Sequence, residues 1–143
     1  MTSDITISTD QARLDLAVIH GFLSRSWWAE GVPVEIIRRA IEHSLCFGVY
    51  DGAQQIGFAR VISDYATFAY LADVFILEAW RGRGLSKRLM REIMNHPDLQ
   101  GLRRFALVTK DAHGLYQQFG FTDLAHPDRH LEIVRTEIYK EQK

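Results

Sequence analysis

Cysteine is almost absent from this chain: Cys46 is the only one among 143 residues. A lone cysteine excludes an internal disulfide and a cysteine-based metal cluster. It lies in the apolar run Leu45-Cys46-Phe47-Gly48-Val49, where a small core residue is expected. The other reading, a reactive thiol, needs an activating partner, and none is visible nearby. Proline is scarce as well, with three residues, so the chain has few forced breaks. Repeats, low-complexity tracts and linker-like shifts in composition are missing. One compact unit spanning residues 1–143 is expected. The first residues, Met1-Thr2-Ser3-Asp4-Ile5, lack a basic region followed by an apolar stretch, and no apolar run is long enough to span a bilayer. A cytoplasmic, reducing setting is the expectation. An excess of either charge is also lacking: 17 basic residues face 18 acidic ones, for a net charge of -1. That balance gives no whole-molecule field for nucleic acid or an anionic membrane, although a local basic patch stays open. The six histidines show no metal-ligand spacing such as His-Glu-x-x-His, so no metal is expected.

What the chain does have is core material, with 47% hydrophobic residues. Ile5-Thr6-Ile7 alternates like a short strand. Thr9 or Asp10 can cap a helix running to about Phe22, with Leu14, Ala17, Val18 and Phe22 as its apolar stripe. Ser24 to Gly31 reads as a loop that holds Trp27 and Trp28. Pro33 suits the first turn of a second helix, whose apolar face is Val34, Ile37 and Ile41. Three strands follow: Leu45 to Tyr50, Gln55 to Ser63 and Phe68 to Leu77. Asp51-Gly52 signals a hairpin turn, and Asp64-Tyr65-Ala66-Thr67 makes the second connection, so the three should form an antiparallel meander. A helix with Leu85, Leu89, Ile93 and Met94 on its buried side comes next and ends before Pro97. Phe105 to Thr109 reads as another strand. Asp111 can cap a short helix from Ala112 to Phe119, which Gly120 closes. Phe121 to Leu124 and His130 to Arg135 are the last strand candidates, and Thr136 to Lys143 is a polar tail. The expected class is mixed α/β, with a mainly antiparallel central sheet flanked by helices.

The chemistry centres on Arg81-Gly82-Arg83-Gly84-Leu85-Ser86, between a strand and a helix. The first N–H groups of a helix lack internal partners and carry partial positive charge. Glycines let backbone approach an anion closely, so such a junction can hold phosphate. Arg81, Arg83 and Lys87 add positive charge, and Ser86 can cap the helix or donate to a phosphate oxygen. Spacing alone leaves a second reading open, a plain turn with solubilising arginines. The turn lacks the Gly-Lys-Ser/Thr ending of a P-loop and the third glycine of a dinucleotide fingerprint.

The turn resembles the Gln/Arg-x-x-Gly-x-Gly/Ala signature of the GNAT superfamily, the acetyl-coenzyme A-dependent N-acetyltransferases. Leu71-Ala72-Asp73-Val74-Phe75-Ile76-Leu77-Glu78-Ala79-Trp80 is similar to that family's fourth strand and its approach to the turn. Leu115-Tyr116-Gln117-Gln118-Phe119-Gly120-Phe121 resembles its Leu/Phe-Tyr-x-x-x-Gly-Phe segment. Two departures stand out. Ser86 replaces the usual glycine or alanine, and Thr109-Lys110-Asp111 occupies a region where the family often has an asparagine.

The resemblance implies the GNAT acyltransferase fold, acetyl-CoA as co-substrate and an amine of a small molecule or peptide as acceptor. It implies main-chain pairing of the pantetheine arm with Val74, Phe75 and Ile76. The pyrophosphate would meet Arg81, Gly82, Arg83, Gly84, Leu85, Ser86 and Lys87. Tyr116 matches the tyrosine that protonates the departing thiolate, although it could instead be a packed aromatic. The attacking amine must be neutral, and Asp73 is the candidate base beside the cofactor stretch. Glu78 is the alternative, and Asp73 could equally be a structural acceptor. Trp27, Trp28 and, less directly, Tyr65 are candidates for an aromatic wall at the acceptor site; the tryptophans could also cover core or build a dimer contact. A monomer or a homodimer fits. A non-catalytic acyl-CoA sensor on the same fold is the competing expectation. An oxidoreductase is disfavoured by the missing glycine and the meander.

Overall fold

The computed structural model describes residues 4–140. Five strands form one sheet in the order β1-β2-β3-β4-β5. They are β1 Ile5–Ser8, β2 Leu45–Asp51, β3 Gln54–Ser63, β4 Phe68–Ile76 and β5 Arg104–Leu107. The first four pair antiparallel, and β5 lies parallel to β4. A parallel pair needs a crossover, and helix α3, Leu85–Met94, supplies it. The mixed α/β class with a mainly antiparallel sheet is therefore as the sequence implies.

Side chains alternate across the sheet and feed two cores. Phe47, Ala59, Val61, Leu71 and Ile76 meet Leu85, Leu89, Met90 and Ile93 of α3 on one face. Cys46, Phe58 and Phe75 meet Ile19, Leu23 and Ile37 on the other. Those last three belong to helices α1, Leu16–Leu23, and α2, Val34–Glu42. The middle strand β3 is buried on both faces from Gln55 to Ala59.

Several boundaries differ from expectation for local reasons. The first helix starts late. Asp10 caps only a 3-10 turn, Gln11–Arg13, and Leu14 then turns extended. Asp15 is the actual cap of α1, accepting from the N–H groups of Ala17 and Val18. Its own N–H is tied to Gln55 Oε1 at 2.7 Å. The first hairpin turns one residue later than Asp51-Gly52, because Asp51 pairs with Gln54 and only Gly52 takes a positive φ there. Asp111 does not cap the short helix α4, His113–Gln117; the Thr109 hydroxyl accepts from Ala112 N–H instead. Phe121 to Leu124 and His130 to Arg135 form no strands. The tail is more than polar, since Tyr139 packs on the α1–α2 core; its residues 141–143 lie outside those described. No helix among the described residues is long and apolar enough to cross a membrane.

Candidate active site

The glycine turn is built as a helix start without a side-chain cap. Gly84 is the N-cap of α3 with φ 75°, and no side chain caps the helix. Gly82 takes φ 78°. A Cβ at either glycine would meet nothing within 4 Å. The glycines are therefore required by backbone conformation, not by crowding. Ser86 sits inside the helix and is not its cap. The first N–H groups of α3 thus point outward at the positive end of the helix dipole.

Those groups open onto a cleft of about 350 Å³, lined by Ile76, Trp80, Arg81, Gly82, Gly84, Leu85, Ser86, Lys87 and Leu115. The basic side chains are partly committed. Arg81 Nε donates to the Ile76 carbonyl at 2.9 Å, locking the turn to the end of β4. The Arg83 guanidinium lies over the Trp80 ring, 4.8 Å from its centroid. Lys87 is exposed on the first turn of α3.

The cleft meets the end of β4 at Ile76. Pairing between β4 and β5 runs only from Phe68–Arg104 to Leu71–Leu107. Beyond Leu71 the β5-side edge of β4 has no strand partner among the described residues, while its other edge still pairs with β3 as far as Ile76. Val74, Phe75 and Ile76 fall in this opening. Tyr116 lies beside it on α4. Its ring packs in the α3-side core, 8% exposed, at 6.1 Å from Phe121. Leu115, one residue earlier, reaches the cleft wall. No described residue hydrogen-bonds the Tyr116 hydroxyl. Burial, and secondarily the charge of Asp111, pushes its pKa above the ordinary phenol value, so the phenol keeps its proton at neutral pH.

Asp73 occupies an irregularity in β4, where the register with β3 shifts between Phe58 and Arg60. Its φ is 57°, a left-handed value that aspartate tolerates better than most residues. Both carboxylate oxygens are engaged. Trp28 Nε1 donates to Oδ1 at 2.8 Å, and Arg60 Nε donates to Oδ2 at 2.8 Å. Arg60 also donates to Ser44 Oγ at 3.2 Å. Each oxygen of Asp73 thus has one strong donor. It does keep lone-pair capacity, because a carboxylate can accept about four hydrogen bonds.

Trp28 joins Asp73 to an aromatic column. Phe22 stacks on Phe75 with centroids 4.1 Å apart, Trp28 tilts against Phe22 at 6.3 Å, and Trp27 meets Trp28 edge-on at 5.6 Å. The column rises from the buried β4 strand to an exposed Trp27. At the top, Lys110 Nζ lies 5.6 Å from the Trp27 ring centroid. Lys110 follows β5, so the contact brackets the mouth of the β4–β5 opening. Tyr65 is not brought into this group. It sits in the turn before β4, on the far side of Phe68, roughly 16 Å along the strand from Asp73.

Sequence reading missed Arg60, Phe22 and Lys110 as parts of this site. Arg60 could have been found as a charge in an otherwise buried strand, which needs a partner. Phe22 looked like ordinary helix stripe, and Lys110 carries no sequence signal for its ring contact. Among the described residues, no group of three or more His, Cys, Asp or Glu is placed to hold a metal.

Comparison with known proteins fits this geometry. Residues 42–123 match the family model for the acetyltransferase (GNAT) domain. A candidate acetyltransferase of Gibberella zeae is 35% identical over a 136-residue alignment, taking in 79% of this chain and 76% of the relative. The crystal structure of a candidate GNAT-family acetyltransferase from Xanthomonas campestris pv. campestris is 52% identical. It matches with a TM-score of 0.94 over 97% of this chain and 99% of its own. The structure of an Elizabethkingia anophelis GNAT acetyltransferase with acetyl-CoA bound shares the fold at 14% identity, with a TM-score of 0.66 over 94% of this chain and 90% of that one. The chain belongs to the GNAT family of acetyltransferases.

Proposed function

We propose that this chain uses acetyl-CoA as donor and acetylates a primary amine of a small molecule or peptide. One observation carries the reading. The uncapped start of α3 and the end of β4 at Ile76, beyond its pairing with β5, line the same cleft. The residues fit the coenzyme in kind: backbone N–H groups and cations for a pyrophosphate, and an exposed strand edge for an amide-bearing arm. When bound, acetyl-CoA supplies an activated acetyl thioester.

The chain's own residues have separable tasks in this reading. The N–H groups of Leu85, Ser86 and Lys87, with Arg81, Arg83 and Lys87, hold the phosphates. Val74, Phe75 and Ile76 orient the arm through main chain. Trp27 and Trp28 shield the acceptor amine from water and receive its apolar body. Asp73 draws in the ammonium with its spare lone pairs, and accepts its proton directly or through water. Tyr116 holds a proton on Oη at neutral pH and can give it to the leaving sulfur.

Two measurements test the reading. Titration calorimetry should show acetyl-CoA binding to the wild type and none to Gly84→Glu, whose carboxylate would occupy the anion site; equal binding by both would remove the turn from the cofactor site. A thiol-release screen across amines, amino acids and short peptides should then find an acceptor class. Binding without release for any acceptor would favour the acyl-CoA sensor instead.

A further inference from the structure

A second hollow, of about 300 Å³, lies between α2 and β3. Ile36, Arg39, Ala40 and His43 enter it from α2, spaced as a single helix face requires. Ser44, in the turn after α2, and Arg60 and Ile62 of β3 close it from the sheet side. Its titratable groups are all basic, and no carboxylate lines it.

This basic lining is not accounted for by the end of the helix. Basic side chains near a helix C-terminus often serve its last carbonyls. In α2 those carbonyls have other donors: Ser44 Oγ reaches the Ala40 carbonyl at 2.7 Å, and Gln11 Nε2 reaches that of Ile41 at 2.9 Å. Helix arginines also pair with a neighbour one turn away, as Arg38 does with Glu35 at 3.2 Å. Arg39 makes no hydrogen bond or ion pair with any described residue.

Arg60 joins the hollow to Asp73. Its Nε donates to Asp73 Oδ2 at 2.8 Å and its Nη1 to Ser44 Oγ at 3.2 Å, which leaves Nη2 unspent among the described residues. A carboxylate suits such a guanidinium, because both groups are planar and their atoms match in spacing. The other oxygen of Asp73 faces Trp28, so Asp73 stands between the aromatic column and the basic hollow.

We propose that this hollow binds the carboxylate of a small molecule with an apolar body, with Arg39 and Arg60 as its donors. Resting on the acetyl-transfer reading, that carboxylate belongs to the acceptor. The acceptor's amine lies at Asp73 and its carboxylate beyond Arg60, which makes it a free amino acid. A polyamine would instead meet Arg39, His43 and Arg60 as like charges.

The test separates the hollow from the reaction. First, N-acetylleucine and N-acetylleucinamide, which lack a free amine and differ in the carboxylate, are titrated into isotope-labelled protein without coenzyme. The acid should shift the backbone amide resonances of Arg39, Ser44 and Arg60 and bind about tenfold more tightly than the amide. Arg39→Ala should weaken the acid roughly fivefold with an unchanged circular dichroism spectrum, and Arg39→Lys should restore part of the loss. Equal binding of acid and amide, shifts confined to other regions, or an alanine variant that binds the acid as the wild type does would each overturn the proposal. Second, thiol release from acetyl-CoA is compared across amino acids, their amides and simple alkylamines. Amino acids should be turned over about tenfold more efficiently than their amides, through KM, and Arg39→Ala should narrow that ratio. Release with amides or alkylamines alone would keep acetyl transfer and overturn the amino-acid assignment. No release from any of them, with the acid still bound at Arg39 and Arg60, would sink the acetyl-transfer reading and leave the carboxylate site supported.

Discussion

Asp73 offers the sharpest quantitative test, because its backbone and its charge can be perturbed separately. Its pair with Arg60 is 2.8 Å long, with side chains only 10% and 17% exposed. Asp73→Ala leaves the Arg60 guanidinium with Ser44 Oγ and no counter-charge in a site nearly closed to water. Removing one partner of such a pair costs about 3–5 kcal/mol. Alanine must also hold φ near 57°, which adds about 1 kcal/mol. The sum is a large share of the roughly 5–15 kcal/mol that stabilises an ordinary domain. Asp73→Gly removes the same charge without the backbone strain, so it should be about 1 kcal/mol less damaging than alanine. Asp73→Asn keeps an acceptor for Trp28 and suits the left-handed backbone, and its cost should stay near 2 kcal/mol. Adding Arg60→Met to Asp73→Ala should recover part of the loss, since no buried charge is then stranded. Urea unfolding followed by far-UV circular dichroism measures all four; tryptophan fluorescence is unsuitable as the sole probe because Trp28 contacts the mutated site. An alanine variant within about 0.5 kcal/mol of wild type would refute the claim that Arg60 depends on Asp73 for its counter-charge.

Tyr116→Phe should lower thiol release about 100-fold at saturating acetyl-CoA and leave coenzyme affinity unchanged in calorimetry. Its stability should also barely change, because the hydroxyl has no partner among the described residues to lose. Cys46 should resist alkylation in the native protein at pH 8 and react once unfolded, since burial pushes its thiol up to about 12. Asp64 holds the β3–β4 turn by accepting from Ala66, Thr67 and Phe68, bonds that pull its pKa below the ordinary carboxylate value. Its contribution is therefore present above the unfolded carboxylate pKa, and is lost as pH falls toward the lower folded value. Asp64→Asn should lower the melting temperature most at neutral pH, and the difference from wild type should shrink as pH falls, flattening the acid side of the profile.

Much of the architecture is written locally. The meander follows from strand alternation and turn signals, α3 from its apolar spacing, and its end from Pro97. Gly82 and Gly84 announce the left-handed turn into α3 because few other residues accept their backbone conformation. Errors cluster where a distant group competes with a local signal. Asp10 looks like the cap of the first helix, yet Gln55, 40 residues away, ties down Asp15 and the helix begins there. His130 to Arg135 has strand character but pairs with no strand among the described residues, which no local pattern can foresee.

The donor side of the proposed site was therefore legible in the chain. A helix N-terminus with left-handed glycines and neighbouring cations is a property of consecutive residues, so order and spacing suffice to find it. The acceptor side was not. Asp73 acquires its two donors from Trp28 and Arg60, and Trp27 acquires Lys110, only when α1, β3, β4 and the loop after β5 converge. Those contacts depend on packing between residues up to 83 positions apart, and tertiary folding alone supplies the two donors that anchor the candidate base.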